Sequence, residues 1–549
     1  MDDAIVHDRA AAALDRVVTA PISPITSSAR AGATTAPRVD WLIDNAETYG
    51  WLLESMRRAR HSVHIAQLAF DADCAAYADV TGPGSTARDT EISEILIGLA
   101  DKGVADIRIL LNATWLLNTA RALRSFFAKR GVSDRIKVRG LSRFPHFMHA
   151  KLVLIDNREA FLLGSPFVNS YWDDGRHVPF DARRPLRELG GRPLHDVSMR
   201  LRGPAVRDLE SMFESVWRSC APGRGMAMTP RARESRAEAA PRAPGVRVVC
   251  DAPAGILPGV PDGAMRMLGE LLAGIARARS LIYIEHQYLT SRPIAAALAA
   301  ALRREPDLEI IIVLNQNPDL TAYRAWQNAR LTEHGLLTHP RVGVFTLWSA
   351  EPHPARARAT RINQLLIHSK VIVVDDEWAA VGTSNLDGVS MGDYGDDFTG
   401  AFARGVFRGV RNVEVNLVID GGDARVRAAS CSHIETIVAL RERLWHEHLG
   451  VPRGELRERG ARDWLAMWRD AAQVNVRLLA GGTAGASGDA DLAPRRSMVG
   501  RLLPYTTKAY PREQLAALGV ALEPGALELC YNPTWIGVHL SLHWIRNIF

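Results

Sequence analysis

Residues 368–385 read HSKVIVVDDEWAAVGTSN. The run Val371–Val374 is apolar and β-branched, the pattern of a strand covered on both faces. This strand opens on His368 and Lys370, polar groups whose burial demands partners. The pattern occurs a second time, because residues 149–156 read HAKLVLID. His149, Lys151 and Asp156 align with His368, Lys370 and Asp375. A glycine and a hydroxyl residue follow in each copy, Gly164-Ser165 and Gly382-Thr383, and then an asparagine, Asn169 and Asn385. A lone His-x-Lys at a strand entrance is commonly a satisfied surface pair; two copies with the same followers argue for a shared chemical task. The chain has six Lys against 61 Arg, yet two of the six occupy this one position of the repeat. Lysine is a compact point charge and arginine a planar fork, so a site that holds a small cation against one oxygen selects lysine.

The chain has 549 residues, enough for two or three domains, and its apolar fraction of 47% supplies ample core. The net charge of +6 suits anionic partners such as a phospholipid surface or nucleic acid, although an Arg-rich composition accounts for it equally well. The five cysteines (Cys74, Cys220, Cys250, Cys431, Cys530) are odd in number and not at metal-ligand spacing, which argues against a disulfide framework. No run approaches the length of a membrane span. The first residues, MDDAIVHDRAAAALDRVV, lack the apolar core of a secretory signal. The expectation is a soluble protein, cytoplasmic or exported by a signal-independent route to act on membranes.

The organisation is expected to be an N-terminal extension (1–37), a first lobe (38–218), a linker (219–245), a second lobe (246–450) and a C-terminal extension (451–549) that packs on the body. The linker is rich in Pro, Gly and charge. The lobes resemble each other beyond the first motif. RARHSVHIAQLAF (58–70) parallels RARSLIYIEHQYL (277–289), and ADIRILLN (105–112) parallels LEIIIVLN (308–315). Alternating helix and short apolar strand argues an α/β fold, duplicated once. The segments 113–145 and 316–364 are expected to carry substrate-facing loops. Residues 424–449 read as a helix closed by Gly450.

Residues two apart on a strand face one way. Two such strands, brought together about a pseudo-twofold axis, set two imidazoles and two ammonium groups around one cavity. A phosphodiester suits that arrangement: Lys151, Lys370, Asn169 and Asn385 can hold its non-bridging oxygens. One histidine can attack phosphorus while the other protonates the leaving alcohol and then activates the next acceptor. Each histidine needs an acid to fix its tautomer. Asp196 in HDVSMRLRGPAV and Glu414 in NVEVNLVID, each one strand after a motif, are the candidates. Asp156 and Asp375 lie at an odd offset from their lysines and read as structural. Lysine repels a metal ion, so no metal is expected at this site. There is no G-x-S-x-G elbow and no G-x-x-x-x-G-K-[ST] loop, and no cofactor is expected.

The paired motifs resemble those of the phospholipase D superfamily, most closely the phospholipid-cleaving members. IYIEHQYLTS (282–291), HDVSMRLRGPAVRDLESMFESVW (195–217) and LRERLWHEHLG (440–450) are similar to further stretches of those enzymes, so that the resemblance covers residues 38–450 apart from the linker and inserts. It implies the phospholipase D fold, two pseudo-twofold-related lobes each with a mixed β-sheet between helices and the active site at their interface. It also implies metal-independent chemistry through a phosphohistidine, with His149 as nucleophile and His368 as general acid; the residues alone do not order the two. Spacing departs from strict repetition: Asn169 lies 20 residues beyond its histidine and Asn385 17. Ser165 is therefore expected to take over part of the amide's task, and Thr383 stands at the matching place. Glu285, Gln287 and Tyr288 are expected to reach substrate. The stretch after Leu386, with its apolar FTGAF (398–402), reads as a lid or a membrane-facing loop.

The implied function is a phospholipase D that hydrolyses phosphatidylcholine or phosphatidylethanolamine to phosphatidic acid and free head group, with transphosphatidylation when an alcohol replaces water. One alternative is a cardiolipin-synthase-like phosphatidyltransferase, whose usual N-terminal membrane segments are not seen in this sequence. Another is a phosphodiesterase acting on nucleic acid, for which the arginines are too dispersed. A non-catalytic phosphoryl-binding protein is disfavoured because both motifs are intact. The expected partner is a phospholipid membrane surface, with no nucleic acid and a monomeric chain.

Overall fold

The computed structural model describes residues 37–530 apart from 78–85, 115–116, 144–145, 186–188, 221–244, 258–262, 357–358, 393–408, 423–430, 459–462, 481–497 and 521–526. The FTGAF segment, nearly all of the expected N-terminal extension and the aromatic tail after residue 530 lie outside the described residues.

Two mixed sheets carry the chain. The first runs, in spatial order, Arg38–Ile43, Val197–Arg202, Glu159–Leu162, Leu152–Ile155, Ser62–Ala66, Asp106–Asn112 and Ile136–Leu141. The second repeats that order with Gly245–Asp251, Asn412–Asp420, Trp378–Gly382, Lys370–Val374, Leu281–His286, Glu309–Leu314 and Val342–Pro352. The pairing directions repeat as well. The first four contacts of each series are antiparallel and the last two parallel. The second sheet continues through Thr360–Gln364 and Leu527–Leu529, while Leu502–Pro504 pairs with Val342–Pro352.

The motif strands are apolar on both faces because each face has its own core. Leu152, Leu154, Val371 and Val373 lie in one apolar cluster shared by the two lobes, with Leu209 and Phe213 of helix Ala205–Ser219 and Leu444 and Trp445 of helix Cys431–Leu449. Val153 and Ile155 turn to the opposite face, against Leu52, Leu96 and Leu123. Ile372 and Val374 do the same against Leu271 and Leu298. Each fully buried aliphatic side chain contributes about 1.5–3 kcal/mol of transfer free energy, so this period-two split holds the register of both motifs. Trp464 and Trp468 of helix Trp464–Ala480 join the shared cluster. Gly450 closes helix Cys431–Leu449 at φ 70°.

The segments 113–145 and 316–364 differ from expectation. Their described parts hold regular structure, helix Thr119–Lys129 with strand Ile136–Leu141, and helix Thr321–Glu333 with strand Val342–Pro352. Each is a helical crossover to a further parallel strand, which the variable sequence obscured. Among the described residues no helix is long and apolar enough to cross a membrane. Cys74, Cys220, Cys250 and Cys530 are free thiols.

Asp156 and Asp375 are structural in both copies. The Asp156 carboxylate accepts from the backbone amides of Arg60 (3.0 Å), His61 (2.7 Å) and Ser62 (2.9 Å). Asp375 accepts from those of Arg279 (2.8 Å), Ser280 (2.9 Å) and Leu281 (2.8 Å), and from Ser280 Oγ (2.9 Å). Both sit in the left-handed region, at φ 51° and 53°, which Asp tolerates better than most residues. Asp375→Ala removes those acceptors and strands alanine in that region, for an expected loss of about 2–4 kcal/mol. Asp375→Asn keeps an acceptor and tolerates the backbone, so its loss is smaller. Denaturant midpoints measure both; an Asp375→Ala midpoint equal to wild type contradicts the assignment.

Candidate active site

Two short parallel bridges join the lobes. Phe147–Met148 pairs with Asn412–Val413, and Leu194–His195 pairs with Leu366–Ile367. One residue beyond each bridge, a histidine of one lobe meets an acid of the other. His149 Nδ1 lies 2.8 Å from Glu414 Oε2, and His368 Nδ1 lies 2.8 Å from Asp196 Oδ2. The bridges are held at their ends. Asn112 closes the strand before the first motif and bonds both the amide (2.8 Å) and carbonyl (3.0 Å) of Met148. Asn315 does the same for Ile367, at 2.8 and 2.7 Å. These two asparagines end the paralleled segments LLN and VLN, so their signal was present in the repeat.

Each acid is saturated. Glu414 Oε2 also accepts from Thr383 Oγ1 at 2.6 Å, and its Oε1 accepts from Ser390 Oγ (2.8 Å) and Asn412 Nδ2 (3.0 Å). Asp196 Oδ2 accepts from Ser165 Oγ, and Oδ1 from the Val197 amide at 2.8 Å. Burial pushes both carboxyls up, but the facing histidines, lysines and hydroxyls hold them below the usual range. In this structure Ser165 and Thr383 direct their hydroxyls to the acids and orient them, in place of the expected reach to substrate. The glycines before them are required by close approach. A Cβ on Gly164 would sit 1.9 Å from Asp196 Oδ1, and one on Gly382 would sit 2.4 Å from Asn416 Oδ1.

Lys151 and Lys370 are buried, and each ammonium donates to the carbonyl of its own motif histidine, Lys151 at 2.8 Å. Lys370 also donates to Gln287 Oε1 at 2.9 Å. Both lysines lower the proton affinity of both histidines, which places all four groups in one field. Burial takes Lys151 down to about 7, with Lys370 adding to the effect, and Lys370 down to about 8. Burial also lowers His149, and takes His368 to about 4 with help from Lys370. Donation from Nδ1–H to a carboxylate leaves the lone pair on Nε2, the tautomer a nucleophile or base needs. The Tyr171 ring stands edge-on to His368 at 5.1 Å.

Other expected ligands are placed differently. Asn169 Nδ2 donates to Asp73 (3.0 Å) and its Oδ1 accepts from the Ala75 amide (3.2 Å), so it clamps the 71–75 loop instead of offering its amide to substrate. Asn385 is buried with Oδ1 unpartnered. Gln287 positions Lys370 and donates to Tyr288 OH at 2.8 Å, while Tyr288 OH bonds Asp319. Glu285 belongs to a buried cluster, 2.9 Å from His195 Nε2 and 2.7 Å from His448 Nε2. In this structure the polar atoms of these three residues are engaged with Lys370, Asp319, His195 and His448, in place of the expected reach to substrate. A second group with metal-ligand spacing, Asp44, His177, His195 and Glu447, adjoins that cluster.

Residues 271–401 match the family model described as cardiolipin synthase, PLD-like domain. The chain is 23% identical over 363 residues to "Cardiolipin synthase 2" of Bacillus anthracis, which covers 63% of this chain and 58% of that protein. It is 27% identical over 248 residues to "Cardiolipin synthase B" of Shigella flexneri, with 44% and 49% covered. A solved phosphatidylserine synthase from Haemophilus influenzae Rd KW20 aligns at a TM-score of 0.49 and 12% identity, over 78% of this chain and 90% of that one. The chain thus shows homology to phosphatidyltransferases of the phospholipase D superfamily, and the aligned stretches span less than two thirds of the first two relatives' length.

The lysines set a pH dependence for anion binding. With Lys151 near 7 and Lys370 near 8, the cationic forms dominate at lower pH and are lost as pH rises. Binding a phosphate mimic then requires proton uptake, which weakens affinity by up to about tenfold per pH unit for each lysine involved. Tungstate affinity, measured by calorimetry between about pH 7 and 9, is expected to fall, and the slope to become shallower in Lys151→Met. Equal affinity across that range contradicts the assignment.

Proposed function

We propose that this protein is a phospholipase D-type phosphatidyltransferase. Its two histidines pass a phosphatidyl group from a phospholipid to an alcohol, with phosphatidylglycerol as both donor and acceptor. The observation that carries the reading is the exchanged pair of histidine–carboxylate contacts beside two buried lysines.

In the first step His149 Nε2 attacks phosphorus and the P–O bond to the leaving glycerol breaks. The anionic substrate, beside Asp196, favours uptake of a proton on His368 Nε2, and His368 gives that proton to the departing oxygen. Lys151 and Lys370, each with N–H groups beyond those spent on the histidine carbonyls, hold the non-bridging oxygens together with Asn385. In the second step the now neutral His368 removes the proton of an incoming hydroxyl, whose oxygen attacks phosphorus. The N–P bond breaks and His149 is restored. Glu414 and Asp196 hold the rings and stabilise the positive charge each acquires. Two phosphatidylglycerols thus give one cardiolipin and one glycerol.

Transfer takes precedence over hydrolysis in this reading because the related proteins are named as cardiolipin synthases. Hydrolysis of phosphatidylcholine or phosphatidylethanolamine, the reading implied by the motifs alone, becomes the side reaction with water as acceptor.

Phosphatidylglycerol vesicles incubated with the protein are expected to yield cardiolipin and glycerol in equal amounts, and none with His149→Ala. Phosphatidic acid and free head group from phosphatidylcholine or phosphatidylethanolamine, without cardiolipin, would return the assignment to a hydrolytic phospholipase D. Turnover retained in His149→Ala would remove the two-histidine mechanism altogether.

A further inference from the structure

Behind His368, and separate from the phosphoryl site, four side chains from distant parts of the chain converge. Asp44 begins helix Asp44–Arg57 and His177 sits in the loop after Tyr171. His195 ends the strand Leu194–His195, and Glu447 lies near the end of helix Cys431–Leu449. One nitrogen of each imidazole faces both carboxylates, through separate oxygens of Asp44 and one shared oxygen of Glu447. His177 Nε2 is 3.2 Å from Asp44 Oδ2 and 2.9 Å from Glu447 Oε1; His195 Nδ1 is 3.1 Å from Asp44 Oδ1 and 3.0 Å from Glu447 Oε1. Bonds of about 2.0–2.1 Å in a tetrahedron put neighbouring ligands roughly 3.3 Å apart, close to these separations.

Two observations distinguish this group from an ordinary ion-pair cluster. The first is direction. His195 is fully buried and its Nδ1 has two carboxylates within reach, yet it makes no properly angled hydrogen bond to either. The ring nitrogen thus lies within reach of both oxygens and bonds neither, which leaves it open to a shared ion. The second is the outer support. The far nitrogen of each imidazole faces a further buried carboxylate: His177 Nδ1 bonds Asp173 Oδ2 at 2.8 Å, and His195 Nε2 is 2.9 Å from Glu285 Oε1. A carboxylate bonded behind a ligating imidazole, as Asp173 is behind His177, is the arrangement that fixes the tautomer at a metal; Glu285 lies close behind His195 without a hydrogen bond to Nε2. Those outer acids are themselves held, Asp173 by Arg184 at 2.6 Å and by the Leu194 amide at 2.7 Å, Glu285 by Tyr283 OH at 2.6 Å.

We propose that Asp44, His177, His195 and Glu447 bind one zinc ion that fixes the far side of the active-site seam. Two imidazoles and two carboxylates in a compact tetrahedral set suit zinc; calcium and magnesium prefer all-oxygen shells with more ligands. The ion acts by position, without touching phosphorus. The Asp44 amide donates to the Asp196 carbonyl at 2.9 Å, and the His195 carbonyl accepts from the His368 amide at 2.8 Å. Locking Asp44 and His195 therefore locks the two segments that set Asp196 against His368.

The test reads metal and stability, and needs no lipid. The full chain, produced in zinc-supplemented medium and extensively dialysed, is expected to carry one zinc per chain by mass spectrometry of the metal. Prolonged treatment with a strong zinc chelator lowers its melting temperature, and added zinc restores it. His177→Gln loses the metal. Wild-type protein that carries no zinc, and whose melting temperature ignores both chelator and zinc, overturns the proposal and makes the cluster a proton-bridged network. Zinc retained by His177→Gln also overturns it. Should His177→Gln fail to fold, cobalt exchanged into the wild type decides: tetrahedral ligand-field bands support the site, and their absence refutes it.

Discussion

The structure turns on an exchange. Each active-site histidine takes its orienting carboxylate from the other lobe, across a parallel bridge two residues long. Neither lobe alone holds a complete histidine–acid pair. The shared apolar cluster beneath the bridges fixes the lobes against each other, and the register of the bridges fixes which atoms meet. A one-residue slip in either bridge would face a backbone amide or an apolar side chain toward the imidazole.

Burying this much charge costs free energy that the site itself must offset. The acids are compensated by full hydrogen-bond saturation, as the hydroxyls of Ser165, Thr383 and Ser390 show. The lysines are not fully compensated, and desolvation lowers them to near neutrality. In the proposed reaction a phosphodiester supplies the missing negative charge. The ligand-free site is therefore set to gain most from an anion, which is the electrostatic condition for stabilising charge on phosphoryl oxygens. Lysine at these two positions, in a chain where arginine outnumbers lysine 61 to six, fits a compact cation held against the carbonyl of its own motif histidine.

Much of this was legible in the sequence because it was written twice. The repeat exposed both motifs, the scarce lysines, the duplicated α/β lobe and the structural role of Asp156 and Asp375, whose odd offset turns them from the lysine. Asp196 and Glu414 were found from their place after each motif. Which histidine each serves was not legible, since that depends on contacts between residues 172 and 265 positions apart. The same holds for Glu285: its partners His195 and His448 come from the first lobe and from helix Cys431–Leu449, and no local pattern links them. Asn169 matched the motif by type but not by spacing, and the spacing told more. A sequence shows that a hydroxyl donor is present and not where it points, so the bonds of Ser165 and Thr383 to the two acids were not legible.

In the proposed mechanism His149 carries the phosphatidyl group while His368, oriented by Asp196, releases it. The most direct measurement uses His368→Asn protein and a radiolabelled phosphatidyl ester of p-nitrophenol, a leaving group that needs no protonation. After an alkaline quench, which preserves phosphohistidine, peptide mapping locates the label. The account requires label on the peptide containing His149, accumulating because the second step lacks its base. Label on any other residue, or turnover that continues without a labelled intermediate, would contradict it.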